Sequence, residues 1–255
     1  MIIDLFLNNW FIILLFFTVA ILYSSVGFGG GSSYLAILAL TGILFTQIRA
    51  TALLCNIVVV SVNVLLFYQQ KKIDFKKILP LVFMSIPLAY LGGYLKINQQ
   101  FFFILLGVTL LFAAISMWIS KRIISNDEKN QKINILTNLS FGGSIGFISG
   151  MVGIGGGVFL APLLHLTNWD TPKKIAATAS FFILVNSIAG LLGQYANPDF
   201  FIDWNLTSIL LITVFIGGQF GSRMSNNYFT PIQLKKATAI LIAFVSLRIL
   251  WKYLF

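Results

Sequence analysis

The residues best suited to chemistry are two glycine clusters, Gly27-Phe28-Gly29-Gly30-Gly31-Ser32-Ser33 and Gly153-Ile154-Gly155-Gly156-Gly157. Glycine lets a ligand approach the main chain, and a helix that starts just after such a cluster leaves its first N–H groups unpaired. Those donors, at the positive end of the helix dipole, suit an anion. Ser32 and Ser33 add hydroxyl groups or cap the helix that follows. The second cluster runs into Val158-Phe159-Leu160-Ala161-Pro162, and a proline early in a helix costs little, so a new helix is expected to begin near Val158. Candidate substrate-binding positions are therefore Gly29, Gly30, Gly31, Ser32 and Ser33 in the first cluster and Gly155, Gly156 and Gly157 in the second. Two such helix starts facing one another would hold an anion without a buried lysine or arginine.

Polar side chains inside apolar runs complete the candidate set, because an unpaired polar group in hydrocarbon is costly. These are Thr51, Asn56, Thr178 and Asn186, with Asn63 and Gln194 lying deeper in the same pair of segments. About one helical turn separates Thr51 from Cys55 and Asn56, so the three share a face. For each asparagine alone, hydrogen bonding between helices is the competing reading. Gln219, in a later glycine-bearing segment, could face the same cavity. Arg49 either draws an anion toward an entrance or snorkels to the boundary, and snorkelling is expected. His165, the sole histidine, could carry protons but follows two leucines near a segment end, where an interfacial role is expected. Cys55 is the sole cysteine, so no intramolecular disulfide forms and a buried small residue is expected. No Cys/His cluster exists to hold a metal, and no organic cofactor is expected.

The elements that must position these groups are membrane helices. Of 255 residues, 58% are hydrophobic and only 9% charged, with a mean hydropathy of +0.92. A soluble domain carries about 25% charged residues to solvate its surface. Apolar runs at 9–22, 53–67, 101–119 and 240–250 are too long and unbroken for barrel strands. In lipid such runs must be helical. The net charge of +10 does not indicate nucleic acid, since the basic residues sit at segment ends, where they mark the cytoplasmic side. The start, Met-Ile-Ile-Asp, lacks the basic region of a cleavable signal, so 9–22 is expected to be a retained first helix. Trp10, Trp118, Trp169, Trp204 and Trp251 fall near segment ends, as interfacial anchors do.

The second cluster follows the first at an offset of 126 residues. Ala50-Thr51-Ala52 recurs as Ala177-Thr178-Ala179 at 127, and Gly92 and Gly221 align at 129. Three landmarks in register indicate duplication. The expected organisation is a first transmembrane repeat at 1–124, a cytoplasmic loop at 125–132 and a second repeat at 133–255. Long segments are expected near 49–69, 78–96, 101–120, 174–195, 206–224 and 234–252. The regions 9–45 and 133–166 are each broken by a cluster, as a re-entrant hairpin or as two short helices of roughly 11–17 residues. Counting each region as one crossing gives eight spans and splits the 17 Lys and Arg residues 10 to 7. Counting each as in-and-back gives ten and puts 13 on one face, with Arg49, Lys96, Arg248 and Lys252 opposite. Ten is preferred; both termini then lie outside, and the repeats are inverted. An isolated glycine triplet usually serves close packing, whereas repetition at matching places favours a cavity-lining break, a recurring arrangement in transporters.

The paired Gly-x-Gly-Gly-Gly signatures at Gly27–Gly31 and Gly153–Gly157, with Pro162, the two Ala-Thr-Ala segments and the glycine-bearing later helices, resemble the TauE/SafE family. This is the sulfite exporter, or toluene sulfonate uptake permease, family, and the likeness covers nearly the whole chain. It implies an all-α secondary transporter in a bacterial-type inner or plasma membrane. The implied substrates are small sulfur-containing or organic anions such as sulfite, sulfonates or sulfoacetate, with a proton as co-substrate. The chain departs from strict symmetry, since Val158-Phe159 replaces Ser32-Ser33 and only the second half has the proline. An anion channel or facilitator is the alternative. An intramembrane serine hydrolase using Ser32 or Ser33 with His165 is a further one. No Gly-x-x-x-x-Gly-Lys-Ser/Thr motif is present to bind a nucleotide.

Overall fold

The computed structural model describes residues 2–119, 135–167, 169–198, 200–224 and 231–254. The expected cytoplasmic loop at 125–132 lies outside the described residues, as do Lys121, Arg122, Lys129, Lys132 and Asp199. The described residues form ten helices: α1 (Ile2–Ser25), α2 (Gly31–Ala39), α3 (Phe45–Gln69), α4 (Phe75–Tyr94) and α5 (Gln99–Ile119), then α6 (Ile135–Val152), α7 (Gly157–Leu166), α8 (Pro172–Tyr195), α9 (Trp204–Met224) and α10 (Pro231–Leu254). Six of them, α3, α4, α5, α6, α8 and α9, are long and apolar enough to cross a membrane, and Asn9–Ser25 adds a shorter apolar stretch. The protein is a multi-pass helical membrane protein.

Each glycine region is a long helix followed by a short one that doubles back, rather than two flanks of similar length. The long members have 24 and 18 residues and the short ones 9 and 10. At 1.5 Å per residue α2 and α7 are only about 14–15 Å long, half a hydrocarbon core. The doubling back is visible in side-chain contacts. Phe16 of α1 stacks on Tyr34 of α2 at 4.7 Å, and the Tyr23 hydroxyl shares hydrogen bonds with Ser33 (2.9 Å) and Ser32 (3.3 Å).

Close approach between long helices is made by a different set of glycines. Gly142, Gly146 and Gly150 of α6 lie against the backbone of Leu81, Ser85 and Ala89 of α4. Gly217 and Gly221 of α9 lie against Phe17 and Ile21 of α1, and Gly193 of α8 against Tyr90 of α4. This four-residue spacing puts small residues on one helical face, which lets backbones meet where lipid supplies no hydrophobic drive. The contacts are reciprocal between the halves. Gly221 sits on Ile21 while Gly92 sits on the Phe147 carbonyl; Gly27 meets Ala176 while Gly153 meets the Arg49 backbone. The matching helices α3 and α8 run antiparallel, with Leu53 beside Gly190 at one end and Gly27 between Phe67 and Ala176 at the other.

At one end of the bundle, Asp74 caps α4 by accepting from the Lys76 and Lys77 N–H groups, and Asp170 pairs with Lys77 (2.8 Å) and Lys174 (3.3 Å). At the other end, Asn197 donates to the Tyr94 carbonyl (3.0 Å) and Phe103 stacks on Tyr253 at 4.4 Å. Trp118, Trp204 and Trp251 are exposed near helix ends and Trp10 is exposed within α1, but Trp169 is buried beneath the Lys77 ammonium, 5.5 Å from its ring. It serves as a floor for that ion pair rather than as a lipid anchor.

Burial of Asp170 raises its pKa, but hydrogen bonds from Lys77, the Thr171 N–H and Lys174 and the Lys77 charge outweigh this and hold it below the usual carboxylate value. A depressed pKa contributes stability that is present above the unfolded value and lost as pH falls through the folded one. Asp170→Asn should therefore lower the thermal midpoint in detergent at pH 7 by the few degrees that ~1 kcal/mol represents. The gap between variant and parent should narrow progressively as pH falls below the unfolded carboxylate value of about 4; a gap that stays constant throughout the acid range would show that the ion pair is not its source.

Candidate functional site

Both short helices start from a left-handed glycine. Gly30, at φ 87°, precedes α2, and Gly156, at φ 82°, precedes α7. A residue with a Cβ is strained there by roughly 1–2 kcal/mol, so these two positions require glycine for backbone conformation and not for packing alone. The first helical bonds run from Ser33 and Tyr34 to the Gly30 carbonyl and from Phe159 and Leu160 to the Gly156 carbonyl. The N–H groups ahead of them in each loop lie outside that ladder, at the positive helix end.

The two loops meet on Asn56, near the middle of α3. Its Nδ2 donates to the Ile154 carbonyl in the second loop (2.8 Å). A Cβ added at Gly29 or Gly31 of the first loop would run into the same amide. A Cβ at Gly155 would lie 2.8 Å from Asn56 Nδ2 and 2.7 Å from Ser187 Oγ. Asn56 Oδ1 and Ser187 Oγ are buried without a hydrogen-bond partner. Thus Gly29, Gly31, Gly155 and Asn56, singled out by sequence, come together, with Ser187 as an addition. A lone serine in an apolar helix gave no signal that would have singled it out.

The remaining candidates are engaged elsewhere. Ser32 and Ser33 bond Tyr23, tying α2 to α1. Thr51 bonds the Thr207 hydroxyl of α9 (3.0 Å), sharing the α3 interior but not the loop contact. Asn186 accepts from Ser85 of α4 (2.6 Å) and donates to the Phe182 carbonyl of its own helix. Thr178 is buried in α8, and Gly157 packs against Ile183. Cys55 is buried, as expected, in the apolar cluster that includes Tyr34 and Phe16. Gln219 is half-buried in α9.

Arg49 overturns the snorkelling expectation. It is only 4% exposed, and its Nη2 donates to the carbonyls of Gly92 and Gly93 (both 3.4 Å) and Gly150 (3.2 Å). Those carbonyls belong to the last turns of α4 and α6, whose unpaired oxygens and negative dipole ends attract a cation more strongly than the boundary does. The interior is therefore not free of arginine.

An Asn56→Ala substitution leaves the Ile154 carbonyl without its donor and should cost about 1–3 kcal/mol of stability, read as a lowered thermal midpoint in detergent. Asn56→Leu, which keeps the size and loses the donor, should behave alike; a midpoint at the parental value in both would remove Asn56 as the link between the loops.

Residues 12–249 match the family described as Sulfite exporter TauE/SafE. A probable membrane transporter protein of Sinorhizobium fredii, y4hK, is 32% identical over 92% of this chain and 96% of its own length. Two probable membrane transporter proteins of Bacillus subtilis are also similar. YjnA is 26% identical over 92% of this chain and 98% of its own length, and YunE 24% over 86% and 90%. No solved structure matches.

Proposed function

The chain belongs to the TauE/SafE family of membrane transporters, and we propose that it carries a small sulfur-containing or organic anion, of the sulfite, sulfonate or sulfoacetate class, as a secondary transporter. The observation that carries this reading is the meeting of two glycine-capped helix starts at Asn56, where main-chain donors and two unpartnered buried polar atoms adjoin. Helix N-termini at a protected interior point favour negative charge without a fixed cation beside them. The substrate-binding set in this reading is Gly29, Gly30, Gly31, Ser32, Ser33, Thr51, Asn56, Gly155, Gly156, Gly157, Thr178 and Asn186, with a proton as co-substrate.

The reciprocal contacts of the two halves and the antiparallel course of α3 and α8 support an inverted pair of repeats. Alternating access then amounts to rocking one half against the other around the central loops. The excess of Lys and Arg at the Lys77–Asp170 end supports a cytoplasmic position for it. Ile73→Cys, in the turn beside Asp74, should react with a membrane-impermeant thiol reagent only from the cytoplasmic face; labelling from outside reverses the orientation.

The decisive test is flux into proteoliposomes of sulfite, methanesulfonate, sulfoacetate and sulfate, with and without a pH gradient. Uptake of at least one sulfur oxyanion, accelerated by the gradient, is expected; no flux for any would overturn the reading. Equal rates with and without the gradient would remove the proton and favour a facilitator. Gly30→Val and Gly156→Val should insert normally yet lose ten-fold or more of the flux.

A further inference from the structure

A second polar centre lies away from the two glycine loops. At the end of the bundle carrying Lys96 and Asn197, a recess of about 50 Å³ opens between α3, α4 and α8. Thr46, Arg49, Lys96, Gln194 and Asn197 supply its polar lining. Two of these side chains are more than nine-tenths buried, Arg49 at 4% and Gln194 at 5% exposure. Each also keeps a buried donor atom unused, Arg49 Nε and Gln194 Nε2.

The Arg49 charge is held in place without being spent. One guanidinium nitrogen, Nη2, makes all three contacts to the helix-end carbonyls, and no carboxylate among the described residues pairs with the group. A guanidinium presents five N–H donors in a rigid fork matched to the spacing of oxygens in a carboxylate, sulfonate or phosphate group. An amide nitrogen beside it offers further donors of the same sign. A buried cation and a buried amide, each with an idle donor and both lining one recess, lack the element that would complete them: an acceptor with two or more oxygens. A water could satisfy Gln194, but it would leave the positive charge compensated only by the partial charges of the two helix ends it touches.

We infer that this recess is an oxyanion-binding subsite, in which Arg49 and Gln194 grip the oxygens of a small sulfur or other inorganic oxyanion at the extracellular entrance. Its role as an entrance rests on the anion-transporter reading; its capacity to bind does not. The geometry also makes the subsite one-sided. Gly153 packs on Arg49, and the reciprocal contact of Gly27 is with Ala176, which carries no charge. The opposite end of the bundle therefore has no counterpart at that position, and affinity should differ between the two faces.

Isothermal titration of the full-length protein in detergent with sulfate, sulfite and methanesulfonate, against chloride, tests the subsite directly. Gln194→Met keeps the volume, removes the idle donor and leaves the helix-end contacts of Arg49 intact. It should weaken oxyanion binding about ten-fold. Arg49→Lys keeps the charge but loses the fork, and should weaken it further. In proteoliposomes, Gln194→Met should raise KM from the extracellular face several-fold more than from the cytoplasmic face. Binding of methanesulfonate alongside sulfate would identify the recognised part as the sulfo head group; binding of sulfate and sulfite alone would identify an inorganic oxyanion. Wild-type affinity in Gln194→Met, or no oxyanion binding by the parent, would overturn the subsite. Since titration needs no transport, absent flux with intact, Gln194-dependent binding would refute the transporter reading and leave the subsite standing.

Discussion

The structure depends on one amide. Two helices that begin in the interior of a membrane protein expose main-chain N–H groups where lipid offers no partner, and such breaks survive only if protein surrounds them. Asn56 joins the two breaks. Its nitrogen holds the Ile154 carbonyl of the second loop, and its body occupies the space that side chains at Gly29, Gly31 and Gly155 would need. Without that amide the Ile154 carbonyl would lose its donor, and the space that Gly29, Gly31 and Gly155 leave between the loops would be unfilled. The long helices then serve to bring the loops to Asn56, and their own glycines, four residues apart, let them approach closely enough to do so.

The helical membrane class was legible in composition, because hydrocarbon permits little else for such runs. The proposed duplication rests on a related reason: glycine clusters are rare enough that two in register carry information. The lengths on either side of each cluster were not legible. Hydropathy cannot distinguish the end of a long helix from the start of a short one when both are apolar, and the boundary is marked by backbone conformation, the positive φ of Gly27 and Gly30 and of Gly153, Gly155 and Gly156. Among polar residues, Asn56 was visible as an amide inside an apolar run. Asn186 looked equivalent by composition yet is bound to Ser85, because partner choice depends on a neighbour distant in sequence.

Arg49 shows why a charge near a helix end is ambiguous on paper. In an isolated helix it would reach the boundary. Here the C-terminal turns of α4 and α6 converge on it, bringing three carbonyls within 3.4 Å. That convergence follows from the stripe of Gly142, Gly146 and Gly150, which allows α6 to lie on α4 and aligns their ends. The small residues thus determine where a cation can be buried, although none of them is polar.

Departures from symmetry carry as much meaning as the symmetry. Under the offset of 127 residues that relates the Ala-Thr-Ala segments, Asn56 corresponds to Ile183 and Arg49 to Ala176. Gly29 and Gly31 meet an amide, while Gly157 meets the Ile183 side chain; Gly153 meets an arginine backbone, while Gly27 meets an alanine. A carrier whose halves were identical would present equivalent surfaces to both sides, and any preference would come from concentrations alone. Polar groups kept in only one half make the two routes to the centre unequal in field and in hydrogen-bonding capacity. Equilibrium still fixes the final distribution of an uncoupled solute, but affinity at each face, and hence the rate at a given concentration, can be set separately.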